Sequence, residues 1–271
     1  MNISTVFTNF RLLWITGILC LLSMPHSHAM EPDTVKRFEK VIADVNAEET
    51  RLRSEQYAYL KENEDEKDTL QEFLRKYASY ARFEEPVSES AIEKMQTLSR
   101  MSFPPDLVRF YREHGGFEGG ENLCRLSLYQ PEAILRMSKR EERYARLDSL
   151  GLTDMIRFFW GNDRPEIETG NKRAILSDAE IAYLNDHYTV VGAWTDAHSF
   201  DEAHHYIFFD DKGRFGILYV HQDEFDIFHL LKESSADLSW DAVVNKALDQ
   251  IQADIEEQKQ YQDDDDEEEQ E

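Results

Sequence analysis

Nine histidines and 55 acidic side chains are the reactive stock of this 271-residue chain, and their spacing decides what chemistry they could share. His198, His204, His205, His221 and His229 lie in one region with Asp196, Asp201 and Asp223. Such residues could bind a divalent metal and activate water, which makes a metal-dependent hydrolase using the 196–205 loop one reading. Their order argues against it. No two histidines stand four apart as on one helix face, and adjacent His204 and His205 would point to opposite sides of a strand. Asp201-Glu202-Ala203-His204 spells a helicase-type box, but no Gly-x-x-x-x-Gly-Lys loop exists to hold a nucleotide. Gly115-Gly116-Phe117-Glu118-Gly119-Gly120 lacks the lysine. No Gly-x-Ser-x-Gly elbow occurs, and Cys124 reads as part of an apolar strand rather than as a thiol at a helix start with a basic neighbour. Neither a catalytic residue, a metal ligand nor a cofactor is assigned.

One other segment stands out. Trp160-Gly-Asn162-Asp163-Arg164-Pro165 joins an aromatic, a turn and an acid–base pair. It reads as a structural turn with a local ion pair, or as a recognition loop.

The elements that would carry these residues follow from periodicity. Leu12–Met24 is an apolar run of 13 residues, short of the roughly 20 needed to span a bilayer. With Ser27-His28-Ala29 behind it, residues 1–29 read as a signal peptide cleaved before Met30, or as an extension upstream of a true start at Met30. The first places the protein in the periplasm or outside the cell, the second in the cytoplasm. Residues 30–85 read as a charged helical arm with stripes at Phe38, Val41, Ile42 and Val45, and at Leu70, Phe73, Leu74, Tyr77 and Tyr80. Ser88–Ser90 can cap a helix carrying Ile92, Met95 and Leu98. Pro104-Pro105 starts the next, with Leu107, Phe110 and Tyr111 on its buried face and Gly115 as its stop.

Leu123–Leu128 reads as a strand, and the segment from Pro131 as a helix whose exposed face is Lys139–Arg146. Tyr188–Trp194, Tyr206–Phe209 and Phe215–Val220 read as strands, the last two joined by an Asp210-Asp211-Lys212-Gly213 turn. Phe225–Leu231 and Trp240–Ile251 close the domain, and the acidic run 263–271 reads as a disordered tail. The fold class is α+β: a mostly antiparallel sheet with packed helices, spanning 86–250, after the arm.

Charge narrows the partners. The formal charge is −25. Residues 1–29 hold one Arg and no acid, and residues 263–271 hold eight acids and no base. Without both, 29 bases face 47 acids, a balance of −18. A body this acidic repels nucleic-acid phosphates and attracts basic proteins.

Phe103-Pro-Pro105-Asp106-Leu-Val-Arg-Phe110-Tyr-Arg-Glu-His-Gly115-Gly116 resembles the Leu-Pro-x-Asp…Phe…Gly-Gly signature of the SUKH superfamily, the Smi/Knr-like domains. The strand ending at Trp194, the strand Tyr206–Phe209, the Asp211-x-Gly213 turn and Phe215-Gly216 continue the likeness over roughly residues 86–250. The resemblance implies an α+β domain without catalytic residues. It also implies a protein-binding role: a bacterial immunity protein neutralising a basic toxin, or a regulatory scaffold. Pro105, Asp106, Phe110, Gly115, Gly116, Gly213 and Gly216 are then its structural motif.

Overall fold

The computed structural model describes residues 30–63, 67–119, 125–139, 147–160, 176–195, 203–221, 224–225, 227–232 and 236–268. The chain is an α+β protein built on a seven-stranded antiparallel sheet whose strands lie in sequence order. Three long strands, β4 (Tyr188–Thr195), β5 (Ala203–Asp210) and β6 (Phe215–His221), form its centre. The two-residue strands β1 (Arg82–Phe83), β2 (Phe117–Glu118) and β3 (Ser127–Leu128) extend one side, and β7 (Glu224–Phe225) the other.

The central strands are buried on both faces. On one, Phe209 and Phe215 meet Phe103 and Trp240. On the other, Tyr188 packs edge-on to Phe208, and its hydroxyl donates to the Leu230 carbonyl at 2.9 Å. The strands are therefore runs of apolar residues rather than a clean alternation. Asp210, itself buried, organises the β5–β6 hairpin: Oδ1 accepts from the backbone N–H groups of Lys212 and Arg214, both at 3.0 Å. Its Oδ2 accepts from the Arg214 guanidinium. Gly213 takes φ 73° there, the left-handed position such a turn reserves for glycine.

The helix over 105–114 forms as its sequence dictates. In α4 (Pro105–His114), Pro105 opens the first turn and Leu107, Phe110 and Tyr111 are buried. Gly115 then takes φ 69°, and a Cβ there would stand 1.9 Å from the Glu85 carbonyl oxygen. Asp106 pairs with Arg109 on the same helix. Gly216 lies under the Phe208 ring, leaving no room for a side chain.

The arm is not a separate unit. Helix α1 (Pro32–Asn63) sends Phe38, Val41 and Val45 into the same core as the strands, with Phe38 against Phe83 and Phe117. Residue 86 thus divides no core. Helix α2 (Leu70–Tyr77) folds back on α1, opened by a capping box between Thr69 and Glu72. Phe73 is buried there, whereas Leu70 and Tyr77 are exposed and Tyr80 falls beyond the helix end. Helix α3 (Glu89–Ser99) is capped by Ser88 and packs on α5 (Pro131–Met137).

Several expectations are corrected. Of the strand expected at 123–128, only Ser127–Leu128 is strand among the described residues, and 123 and 124 lie outside them. Helix α5 stops at Met137, and 140–146 lie outside the described residues. The acidic run 263–271 is not wholly a tail, since the last helix, α8 (Trp240–Glu268), continues through 268. Upstream turns pinned by Val243, Val244, Ala247, Leu248 and Ile251 supply the nucleus, so the acidic residues extend an existing helix without nucleating one, against their mutual repulsion. Arg37 fixes α1 beside it, donating to Asn245 Oδ1 at 3.1 Å and Gln252 Oε1 at 2.8 Å.

Two outcomes follow from this packing. A Cβ on Gly213 would clear Pro104 by 3.6 Å, so Gly213→Val should cost only backbone strain of about 1–3 kcal/mol. Gly115→Val adds overpacking of about 1–3 kcal/mol against Glu85 and should melt clearly lower in thermal unfolding; equal melting points would contradict the turn geometry.

His114 stacks on Phe83 at 4.4 Å and touches Phe110, and burial pushes its pKa below the ordinary 6.5 despite nearby Glu113. A depressed histidine pKa means the unfolded chain binds more protons, so stability falls as pH drops below about 6.5. His114→Phe should flatten that segment of the stability–pH curve while leaving the carboxylate region unchanged. An unaltered curve would refute the assignment.

Candidate functional site

The register of β4, β5 and β6 lines up Trp194, His205 and Tyr219 as direct cross-strand neighbours. A bulge between Val190 and Gly192 inserts one extra residue into β4. That insertion sets Trp194 opposite His205 rather than His204, which is how bulges re-aim side chains. The Trp194 and His205 rings stack almost parallel, 4.6 Å apart with 2° between their planes. Tyr219 follows at 4.8 Å from His205. Trp194 is only 4% exposed and anchors the ladder, whereas Tyr219 is 49% exposed. Among the described residues it is the sole large hydrophobic side chain on a strand that is so open. Aromatics held on a rigid sheet and half open to water are what protein interfaces use as anchors.

A groove of about 470 Å³ lies between α5 and the short strands. The Arg82 guanidinium donates to Glu118 at 3.0 Å across β1 and β2 at its rim. Tyr129 forms part of its wall, and burial raises the Tyr129 phenol well above its ordinary range, so it stays protonated. Its charged lining, Arg82 and Arg136 against Glu84 and Glu118, is balanced.

Of the histidines weighed as metal ligands, His204 and His205 point to opposite faces of the sheet. His204 pairs with Thr195 and Val220, on the face opposite His205, and lies 5.9 Å from the Tyr206 ring. No group of three His, Cys, Asp or Glu side chains able to hold a metal occurs among the described residues. His198 and Asp201 lie outside them, as does Cys124. Of the suggested recognition loop, Trp160 is the last residue of α6 (Leu152–Trp160), while Asn162, Asp163 and Arg164 lie outside the described residues. No described helix is long and apolar enough to cross a membrane.

The motif residues Pro105, Asp106, Phe110, Gly115 and Gly116 do come together, as one helix and turn seated on Glu85 and Leu128. Their work there is conformational. Sequence patterns alone do not predict the ladder. The Gly213 turn fixes the pairing of His205 with Tyr219 and could have revealed it, but the bulge that adds Trp194 leaves no mark in the pattern. Compared with family models, characterised proteins and solved structures, the chain matches none.

Because His204 and His205 face apart, a His204→Ala/His205→Ala double variant should match the unaltered chain in bound zinc and manganese by elemental analysis. Stoichiometric metal lost in the double variant would revive the hydrolase reading.

Proposed function

We propose that this chain is a non-catalytic protein-binding domain of the SUKH type, acting as an immunity protein that neutralises a basic toxin. The observation that carries this reading is the charge of the body: −18 after the leader and the acidic run are set aside. An acidic surface competes for the cationic face with which a nuclease or other basic toxin would engage its own anionic target, and it speeds encounter. Two features support the same reading. The signature segment Pro105–Gly116 builds a packed helix and turn, as a binding scaffold requires. Aromatic side chains at the end of the central sheet provide an anchor of interface type. The compartment of the toxin follows that of the protein, an envelope target if residues 1–29 direct export and a cytoplasmic one if translation begins at Met30.

Affinity capture with the purified chain, using extracts containing the products of neighbouring reading frames, should retain a basic toxin-like domain. Raising salt from about 0.1 M to about 1 M shortens the screening length from about 10 Å to about 3 Å and should release most of it. Capture of only acidic or neutral proteins, insensitive to salt, would overturn the proposal.

A further inference from the structure

The groove between α5 and the short strands joins an apolar floor to a rim whose charges are unequally engaged. Phe117 of β2, Leu128 of β3 and Ile134 of α5 line it and are buried. Its volume of about 470 Å³ falls within the ~300–1,000 Å³ of small-molecule sites. Two guanidinium groups and two carboxylates line the rim, but one arginine takes both acids. Arg82 donates to Glu118 at 3.0 Å and stands 4.0 Å from Glu84. Arg136, on the α5 wall, pairs with no carboxylate among the described residues, Glu132 one turn earlier included. An apolar surface therefore lies beside one unclaimed guanidinium and two acids already held.

That arrangement sorts ligands by charge. A cation must compete with Arg82 for Glu84 and Glu118. A dianion such as a phosphate monoester can reach Arg136, but it brings a second negative charge towards the same two acids. A single carboxylate on an apolar body meets neither obstacle. The planar guanidinium can grip it through two parallel N–H donors, while the body covers Phe117, Leu128 and Ile134. We infer that this groove binds a small amphipathic monocarboxylate, with Arg136 as the residue that recognises its charge. The inference goes beyond the protein-binding reading by assigning a small-molecule site on other residues, and the two can fail separately.

The test is titration of the isotope-labelled purified chain with octanoate, 1-octanol and octylammonium, read by amide shifts. Salt at about 0.15 M screens the acidic body beyond about 8 Å. Octanoate should shift Phe117, Leu128 and Arg136 and bind more tightly than either other probe. Arg136→Gln, at an exposed position, should weaken octanoate about two- to fivefold, the size of an exposed ion pair, and leave 1-octanol unchanged. Ala133→Phe, on the groove wall, should weaken octanoate and 1-octanol alike, with melting curves confirming that both variants keep the fold. Octanoate shifts centred on the exposed tyrosines of the arm, equal octanoate affinity in native and Arg136→Gln chains, or tightest binding of octylammonium would overturn the site. None of these results bears on salt-dependent capture of a basic protein.

Discussion

The rest of the molecule depends on the burial of both faces of β4, β5 and β6. Phe209 and Phe215 on one side and Tyr188 and Phe208 on the other leave these strands no solvent face along most of their length. A sheet so placed needs helices on each side, and the chain supplies them from distant segments. Trp240 of α8 and Phe110 of α4 close one face, and the turn at Phe228–Leu231 closes the other. The charged first helix exists for the same reason: Phe38 caps the short strands through Phe83 and Phe117, where a sheet of two-residue strands would otherwise expose its apolar side. Among the described strand residues, Tyr219 is the one large hydrophobic side chain that emerges, 49% exposed.

Local signals in the sequence are legible where one residue type can satisfy the backbone alone. The Pro104-Pro105 start, the Leu107-Phe110-Tyr111 face and the Gly115 stop are all of this kind, and so is Gly213 in its hairpin. Ser88 as a cap belongs with them. What depends on pairing between segments is hidden. Strands of two residues such as β1 and β2 have no period to detect, and their existence rests on Phe83 and Phe117 finding Phe38. The extent of α8 is hidden as well, because an acidic run has the composition of a solvated tail whether or not packed turns precede it.

The candidate site was less legible than the fold. His205 drew notice as a possible ligand because histidine is versatile, yet its surroundings make it the middle ring of a stack. The neighbour that decides this, Trp194, reaches it only through the bulge at Val190–Gly192. Histidine chemistry is set by what faces the ring, and in a sheet that is a matter of register. The signature residues were legible as a pattern, but Gly115 and Gly116 are demanded by the close approach of Glu85 and Leu128. They report a fold, and a fold by itself does not fix function.

The central claim is that an acidic body draws a basic protein partner. Its most direct test is the association rate of the purified chain with the captured basic partner, followed by stopped flow across ionic strength. The account predicts that association slows by at least about tenfold between low and high salt, with dissociation changing far less. An association rate indifferent to salt would contradict it.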